Sequence, residues 1–158
     1  MPGRQRLRPG PAALAPAAAL LLGACSGPLA VEAGPDAAAP ACDDLLAALP
    51  RTVAGEPARQ TTGAGTAAWG DPAVLLRCGV EPTGPTAAEC VTVTGPQGEQ
   101  VDWVLLASSD AGAILTTYGR RPAVEVEVPA TYGPATLSVL PEVGPAVAGL
   151  PSEAVCLG

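Results

Sequence analysis

Six residues of this 158-residue chain have the side-chain types from which a recognition site is built. They are two tryptophans, a tyrosine, two arginines and an aspartate: Trp69, Asp71, Arg77, Trp103, Tyr118 and Arg120. Aromatic faces stack on rings and cations, and an arginine fork binds carboxylates with two hydrogen bonds. The set predicts a binding site for a sugar or a peptide. A structural interpretation also stays open, in which both indole rings lie in the core and Arg77 pairs with a carboxylate.

Composition excludes most catalytic arrangements. The chain contains no histidine and no lysine, so it cannot form a Ser-His-Asp triad, a Cys-His pair, a Schiff base or a P-loop. The carboxylates Asp71, Asp102 and Glu99 remain as candidates for the general acid and base of a glycosidase-like hydrolase. Because Asp71 stands between Gly70 and Pro72, a turn residue is the simpler interpretation. We therefore predict no catalytic residue.

The five cysteines divide into a group of one and a group of four. They are Cys25, Cys42, Cys78, Cys90 and Cys156. The run Leu22-Gly23-Ala24-Cys25 has the form of a lipobox, with a leucine three residues before the cysteine and two small residues between them. In proteins with this motif the thiol receives a diacylglycerol, and cleavage leaves the cysteine as the new N-terminus. The other four cysteines suit two disulfides in an oxidising compartment.

Four cysteines allow three pairings. We favour Cys78 with Cys90, which closes a short loop, and Cys42 with Cys156, which joins the start of the domain to its end. Free buried thiols or a metal site are the alternatives. Since there is no CxxC motif and no histidine, the usual ligand spacing of a zinc site is missing. We predict no metal and no cofactor.

The segment before Cys25 has the composition of a secretory signal. Three arginines within the first eight residues precede an apolar run of Ala, Leu and Pro over residues 11–22. This run is shorter than the roughly 20 apolar residues of a transmembrane helix. We expect residues 1–24 to be a cleaved signal peptide, residues 25–40 a lipidated cysteine with a disordered tether, and residues 41–158 one extracytoplasmic domain.

The charge of the exported chain limits its partners. After residue 24 the chain has five arginines and all fifteen acidic residues, a formal charge of −10. A domain this acidic, without a basic patch, has no positively charged surface to bind the phosphates of a nucleic-acid backbone. This excludes nucleic acid as a partner. Its charge also repels anionic headgroups. We therefore expect the lipid on Cys25, and not a basic surface, to hold the protein to the outer side of the cell membrane.

A small set of elements must position these residues. Residues 41–49 predict a short helix, which ends before Pro50. Five later runs predict strands, and the alternation of valine and glutamate in the last of them is the clearest period-two pattern. These runs are residues 73–78, 90–94, 101–107, 113–118 and 124–128.

The segments between and after these strands complete the predicted fold. Residues 51–68 predict a Gly/Thr-rich loop, and one edge strand within it is an open alternative. Residues 131–150 have helical spacing, and Pro141 and Pro145 are expected to divide them into two short helical turns. The predicted fold class is α+β: a small antiparallel sheet of four to five strands, with short terminal helices on one face and two disulfides.

Several segments resemble a family of uncharacterised actinobacterial lipoproteins, domain of unknown function 3515. The similarity runs from residue 41 to residue 156. The matching segments include Ala67-Ala68-Trp69-Gly70-Asp71-Pro72, Leu76-Arg77-Cys78-Gly79 and Thr116-Thr117-Tyr118-Gly119-Arg120. The resemblance implies a location and a fold. It implies no activity and assigns no catalytic residue.

Two functional hypotheses follow. The first is a non-catalytic binding or structural module of the cell envelope, with a cell-wall fragment or another envelope protein as its partner. The second is a carboxylate-dependent hydrolase acting on cell-wall glycan or peptide. Exposed Trp69 and Trp103 along one groove would favour the first, whereas two carboxyl groups about 5–10 Å apart across a cleft would favour the second. We favour the first.

Overall fold

The computed structural model describes residues 27–157, so the expected signal peptide and Cys25 lie outside the described residues. Two α-helices occur in this range, α1 (Pro40–Ala48) and α2 (Val139–Ala148), and a 3-10 segment (Ala130–Ser138) leads into α2. The strands are β1 (Thr52–Val53), β2 (Glu56–Arg59), β3 (Thr66–Trp69), β4 (Val74–Val80), β5 (Cys90–Thr94), β6 (Gln100–Ser109), β7 (Gly112–Thr117) and β8 (Ala123–Pro129).

These strands form one antiparallel sheet in the order β1-β2-β3-β4-β8-β7-β6-β5. The predicted sheet of four to five strands is therefore wrong, because the described residues form eight. The α+β character holds, and the five predicted runs correspond to β4–β8. Strands β1–β3 lie in the predicted loop at residues 51–68. At two to four residues each, they are too short to show a period-two pattern.

Helix α2 lies where the two edges of the sheet approach each other. It packs on β1 at one edge and on β5 and β6 at the other, so the sheet curls around it. The buried face of the helix joins the main hydrophobic core. The fully buried residues of this face are Val139, Leu140, Val143 and Val147.

The second half of the predicted tail forms one helix and not two separate turns. Pro141 falls in the first turn of α2, where the backbone N–H has no partner within the helix and its loss costs nothing. Pro145 lies inside the helix and removes one internal hydrogen bond. Tertiary burial of the apolar face compensates for that loss.

The disulfides join Cys42 to Cys78 and Cys90 to Cys156, with Cα–Cα distances of 5.6 and 6.0 Å. These distances suit disulfide geometry. All four cysteines are therefore paired, as expected, but the favoured pairing is wrong. Although Cys78 and Cys90 are close in sequence, β8, β7 and β6 lie between their strands in the sheet. Helix α1 instead places Cys42 against β4.

The described part of the expected tether is bound to the β2–β3 loop at Leu29. The Leu29 N–H donates to the Gln60 carbonyl at 2.8 Å, and the Thr62 N–H donates to the Leu29 carbonyl at 3.0 Å. The pairing is that of a parallel bridge between Leu29 and Thr61. The chain therefore joins the folded domain only four residues after Cys25.

A second contact holds the same segment at Gly79. The Asp36 N–H donates to the Gly79 carbonyl at 2.9 Å, and Ala37 is buried. Gly79 has a φ of 79° and lies at a bulge of β4. A Cβ there would come within 2.3 Å of the Asp36 carbonyl carbon, so only glycine permits this approach of two backbones.

The disulfide pairing can be read directly by peptide mapping. We expect digestion after arginine and glutamate, under non-reducing conditions with free thiols blocked, to release one peptide pair linked through Cys42 and Cys78 and another through Cys90 and Cys156. Cleavage at Glu89 separates Cys78 from Cys90. Recovery of a pair linked through Cys78 and Cys90 would contradict the structure.

A Cys42→Ala/Cys78→Ala double variant should lose about 4 kcal/mol of unfolding free energy in the loop-entropy approximation.

Candidate functional site

The two tryptophans of the predicted recognition set belong to the core. Trp69 is 1% exposed and Trp103 is 0% exposed, so neither ring offers a face to a ligand at the surface. The Trp69 indole Nε1–H donates to the Pro50 carbonyl at 3.0 Å. The Trp103 Nε1–H is buried and has no hydrogen-bond partner among the described residues. This arrangement matches the structural interpretation of the two rings.

Arg77 connects two central strands. It lies on β4 directly opposite Glu125 of β8, and its guanidinium pairs with the Glu125 carboxylate, with Nε 3.1 Å from Oε1. The glutamate side chain is 12% exposed and the arginine side chain 32%. Because both charges are already matched, Arg77 has a structural role at the β4–β8 junction.

Arg120 stabilises the end of α2. Its guanidinium donates to the carbonyls of Ala148 at 3.1 Å, Leu150 at 2.5 Å and Gln100 at 3.1 Å. A cation is favourable there because the last carbonyls of a helix lack partners within the helix. Burial lowers the pKa of Arg120, and the nearby charge of Asp102 opposes that shift.

Asp102 of β6 holds the C-terminal segment. Its Oδ1 accepts from the Thr92 hydroxyl at 2.6 Å, and its Oδ2 accepts from the Cys156 N–H at 2.8 Å. Its backbone carbonyl accepts from the Tyr118 N–H at 2.8 Å. The Tyr118 side chain is half-buried and lines a cleft of about 210 Å³ together with Arg121. Asp102, Tyr118 and Arg120 therefore meet at one place, but mainly through structural contacts.

The other two candidate carboxylates lie elsewhere. Glu99 is in the β5–β6 turn, where its Oε2 accepts from the Gln97 N–H at 2.9 Å and its Oε1 is buried without a partner among the described residues. Asp71 follows β3, is 89% exposed, and lies 3.7 Å from Arg59. Four strand spacings, about 19 Å along the sheet, separate β3 from β6. Asp102 is thus not on a strand next to the one that Asp71 follows.

Tyr132 is a residue that the sequence reasoning missed. Its hydroxyl donates to the Pro72 carbonyl at 3.1 Å, which ties the 3-10 segment to the turn after β3. Burial raises the pKa of Tyr132, and the negative charges of Glu56 and Asp71 raise it further. The hydroxyl therefore stays protonated and can donate at neutral pH. No local sequence pattern indicates this contact, because Tyr132 and Pro72 are 60 residues apart.

A groove of about 420 Å³ was also missed. It lies between the end of α1 and strands β2 and β3, with Leu46, Leu49 and Pro50 on one side and Arg51 and Arg59 among its polar residues. None of the residues that line it is acidic. The close spacing of Arg51 and Arg59 is the sequence signal that could have indicated this groove. These two of the five arginines after Cys25 lie within nine positions.

Two classes of feature are absent from the part of the chain that the structure describes. Residues 27–157 contain no group of three or more His, Cys, Asp or Glu side chains arranged to hold a metal ion. No helix in this range combines the length and the apolar character needed to cross a bilayer.

Comparison with known proteins gives a family but no activity. The profile of the family described as "Protein of unknown function (DUF3515)" matches residues 12–154. The chain belongs to this family. The match confirms the resemblance at the level of a domain of unknown function. No curated protein and no solved structure matches the chain.

The two tryptophans provide a matched pair for testing the core. Each Trp→Phe change removes similar volume, but only Trp69→Phe leaves a carbonyl, that of Pro50, without its donor. Trp103→Phe removes a buried donor that has no partner among the described residues. We expect Trp69→Phe to lose about 1–2 kcal/mol more unfolding free energy than Trp103→Phe. Urea unfolding followed by far-UV circular dichroism measures both, and an equal or larger loss in Trp103→Phe would contradict these contacts.

Proposed function

We propose that this protein is a lipoprotein of the bacterial cell envelope, anchored to the extracytoplasmic face of the membrane through lipid on Cys25. Its domain serves there as a non-catalytic binding or structural module, with a cell-wall fragment or another envelope protein as its partner. The observation that carries the proposal is the pairing of cysteines. The four described cysteines pair with one another, which leaves the lipobox cysteine with no partner among them.

The two disulfides support export to an oxidising compartment. Disulfides persist outside the cytoplasm and are reduced within it. Both are long-range links, with sequence separations of 36 and 66 residues, and one of them holds the C-terminal segment to β5. A fold with two such links suits the outer side of a membrane. The resemblance of the sequence to actinobacterial lipoproteins points the same way.

The use of charged side chains supports a non-catalytic role. Arg77, Arg120 and Asp102 each satisfy a specific structural partner. A hydrolase of the glycosidase type needs two carboxyl groups about 5–10 Å apart, whereas Asp71 follows β3 and Asp102 lies on β6, four strand spacings away in the sheet. The binding or structural role is therefore the one that these contacts favour.

Mass spectrometry of the protein from the membrane fraction of a bacterium that processes lipoproteins tests the anchor. We expect a chain that begins at Cys25, carries a diacylglycerol thioether and has no free thiol. Cys25→Ala should lose the lipid and leave the processed form out of the membrane fraction, because two acyl chains supply the binding free energy.

Ser26→Ala is the matched control, since it changes the neighbouring residue and keeps the thiol. It should be acylated like the unaltered protein. An unmodified Cys25, or a mature N-terminus at another residue, would refute the lipoprotein proposal.

A further inference from the structure

We propose that the groove beside Arg51 and Arg59 is a membrane-docking face, which lies against the phosphate headgroups of anionic phospholipid. The inference rests on the proposed lipid anchor at Cys25 and goes beyond it, because it assigns the side of the domain that meets the bilayer. It replaces the expectation that electrostatics only repels this protein from lipid.

The first argument is the length of chain between the anchor and the fold. Leu29 is hydrogen-bonded to Gln60 and Thr62, and it follows Cys25 by only four residues. Four residues span at most about 14 Å when fully extended. The headgroup layer itself is roughly 5–8 Å thick on each side of the bilayer. A cysteine acylated in that layer therefore keeps Leu29 close to the lipid surface.

The second argument is the position of the groove relative to that attachment point. Gln60 and Thr61, which pair with Leu29, are themselves part of the groove lining. Whatever lies near Leu29 thus also lies near the groove. The short link therefore brings this part of the domain, more than any part at the far edge of the sheet, to the bilayer.

The third argument is charge. The chain after residue 24 carries −10 overall, yet the groove lining includes two arginines and no acidic residue. The Arg51 side chain is exposed and forms no hydrogen bond or ion pair with any described residue. An unpaired guanidinium is a suitable donor to a phosphate oxygen.

The ion pair of Arg59 with Asp71 is weak, so Asp71 competes little with a phosphate for the Arg59 guanidinium. It donates to the Gly70 carbonyl at 2.9 Å and lies 3.7 Å from Asp71. Asp71 is 89% exposed, so water screens that attraction strongly. A phosphate in the groove can therefore share the guanidinium while Gly70 keeps it in place.

The fourth argument is the apolar side of the groove. Leu46 and Leu49 are partly buried hydrophobic residues at the end of α1 that remain accessible from the groove. An apolar side beside cations matches the boundary between headgroups and acyl chains, where amphipathic surfaces bind. Neither the leucines nor the arginines alone would specify lipid, but their combination within reach of the anchor does.

Hydrogen exchange on the purified protein in vesicles tests the docking face. The protein is reconstituted into vesicles of phosphatidylcholine with and without phosphatidylglycerol, and also kept in detergent micelles. We expect amide exchange in residues 46–51 and 58–62 to slow in the vesicles that contain phosphatidylglycerol. Arg51→Gln should reduce that protection about fivefold, which corresponds to one arginine near an anionic surface.

Arg121→Gln is the matched control, because it removes the same charge from an exposed arginine outside the groove, one that pairs with Glu153. It should leave the protection unchanged. Since the Arg51 side chain forms no hydrogen bond or ion pair with any described residue, Arg51→Gln should leave the melting temperature nearly unaltered. Arg51→Glu should abolish the protection.

The outcomes separate this inference from the lipoprotein proposal. The docking face is refuted, and the anchor stands, if the acylated protein shows no protection of residues 46–51 and 58–62. The same holds if Arg51→Gln leaves that protection intact. Concentration-dependent protection in detergent indicates a second copy of the chain and also overturns the docking face. If Cys25 proves unmodified, the proposed lipid anchor is refuted. The same protein is then coupled through its Cys25 thiol to a maleimide-bearing lipid. The exchange measurement on that conjugate tests the docking face separately.

Discussion

The apolar face of helix α2 is the surface around which the sheet closes. Val139, Leu140, Val143 and Val147 are each fully buried, and a buried valine or leucine contributes roughly 2 kcal/mol. The helix contacts strands from both edges of the sheet. Glu142 strengthens this arrangement, because both of its carboxylate oxygens lie 3.1 Å from the Ala54 N–H in the β1–β2 turn. In a chain with only two tryptophans, two tyrosines and no phenylalanine, the core around the buried Trp69 and Trp103 is mainly aliphatic.

Several charged side chains near the sheet stabilise the fold by joining strands and holding segments to them. Arg77 joins β4 to β8 through Glu125, and Arg120 binds the carbonyls after α2. Asp102 fixes the backbone of Cys156 and so supports the disulfide that holds the C-terminal segment. Arg77, Arg120 and Asp102 are thus engaged in structural contacts. The groove that contains Arg51 differs, because a cation there is left without a partner among the described residues.

The N-terminal segment would orient the domain relative to the proposed anchor at Cys25. The pairing of Leu29 with the β2–β3 loop and the close approach of Asp36 to Gly79 hold this segment against the sheet. A long flexible tether would let the domain turn freely relative to an anchor at Cys25. A link of four residues restricts that rotation, since it cannot extend beyond about 14 Å. With the proposed anchor in place, the orientation of the domain would follow from where the segment joins the fold.

The sequence by itself determined the α+β character, the positions of β4–β8 and α1, and an even set of four cysteines for disulfides. These follow from local signals: period-two alternation, a proline after a helix and cysteine parity. Only the tertiary structure decided the strands β1–β3, the disulfide pairing and the fate of the six recognition candidates. Short strands form through pairing with neighbours, and Cys78 and Cys90 are separated by strands that follow later in the chain. Burial of Trp69 and Trp103, and the groove beside Arg51, depend on which elements pack together, and sequence spacing does not carry that information.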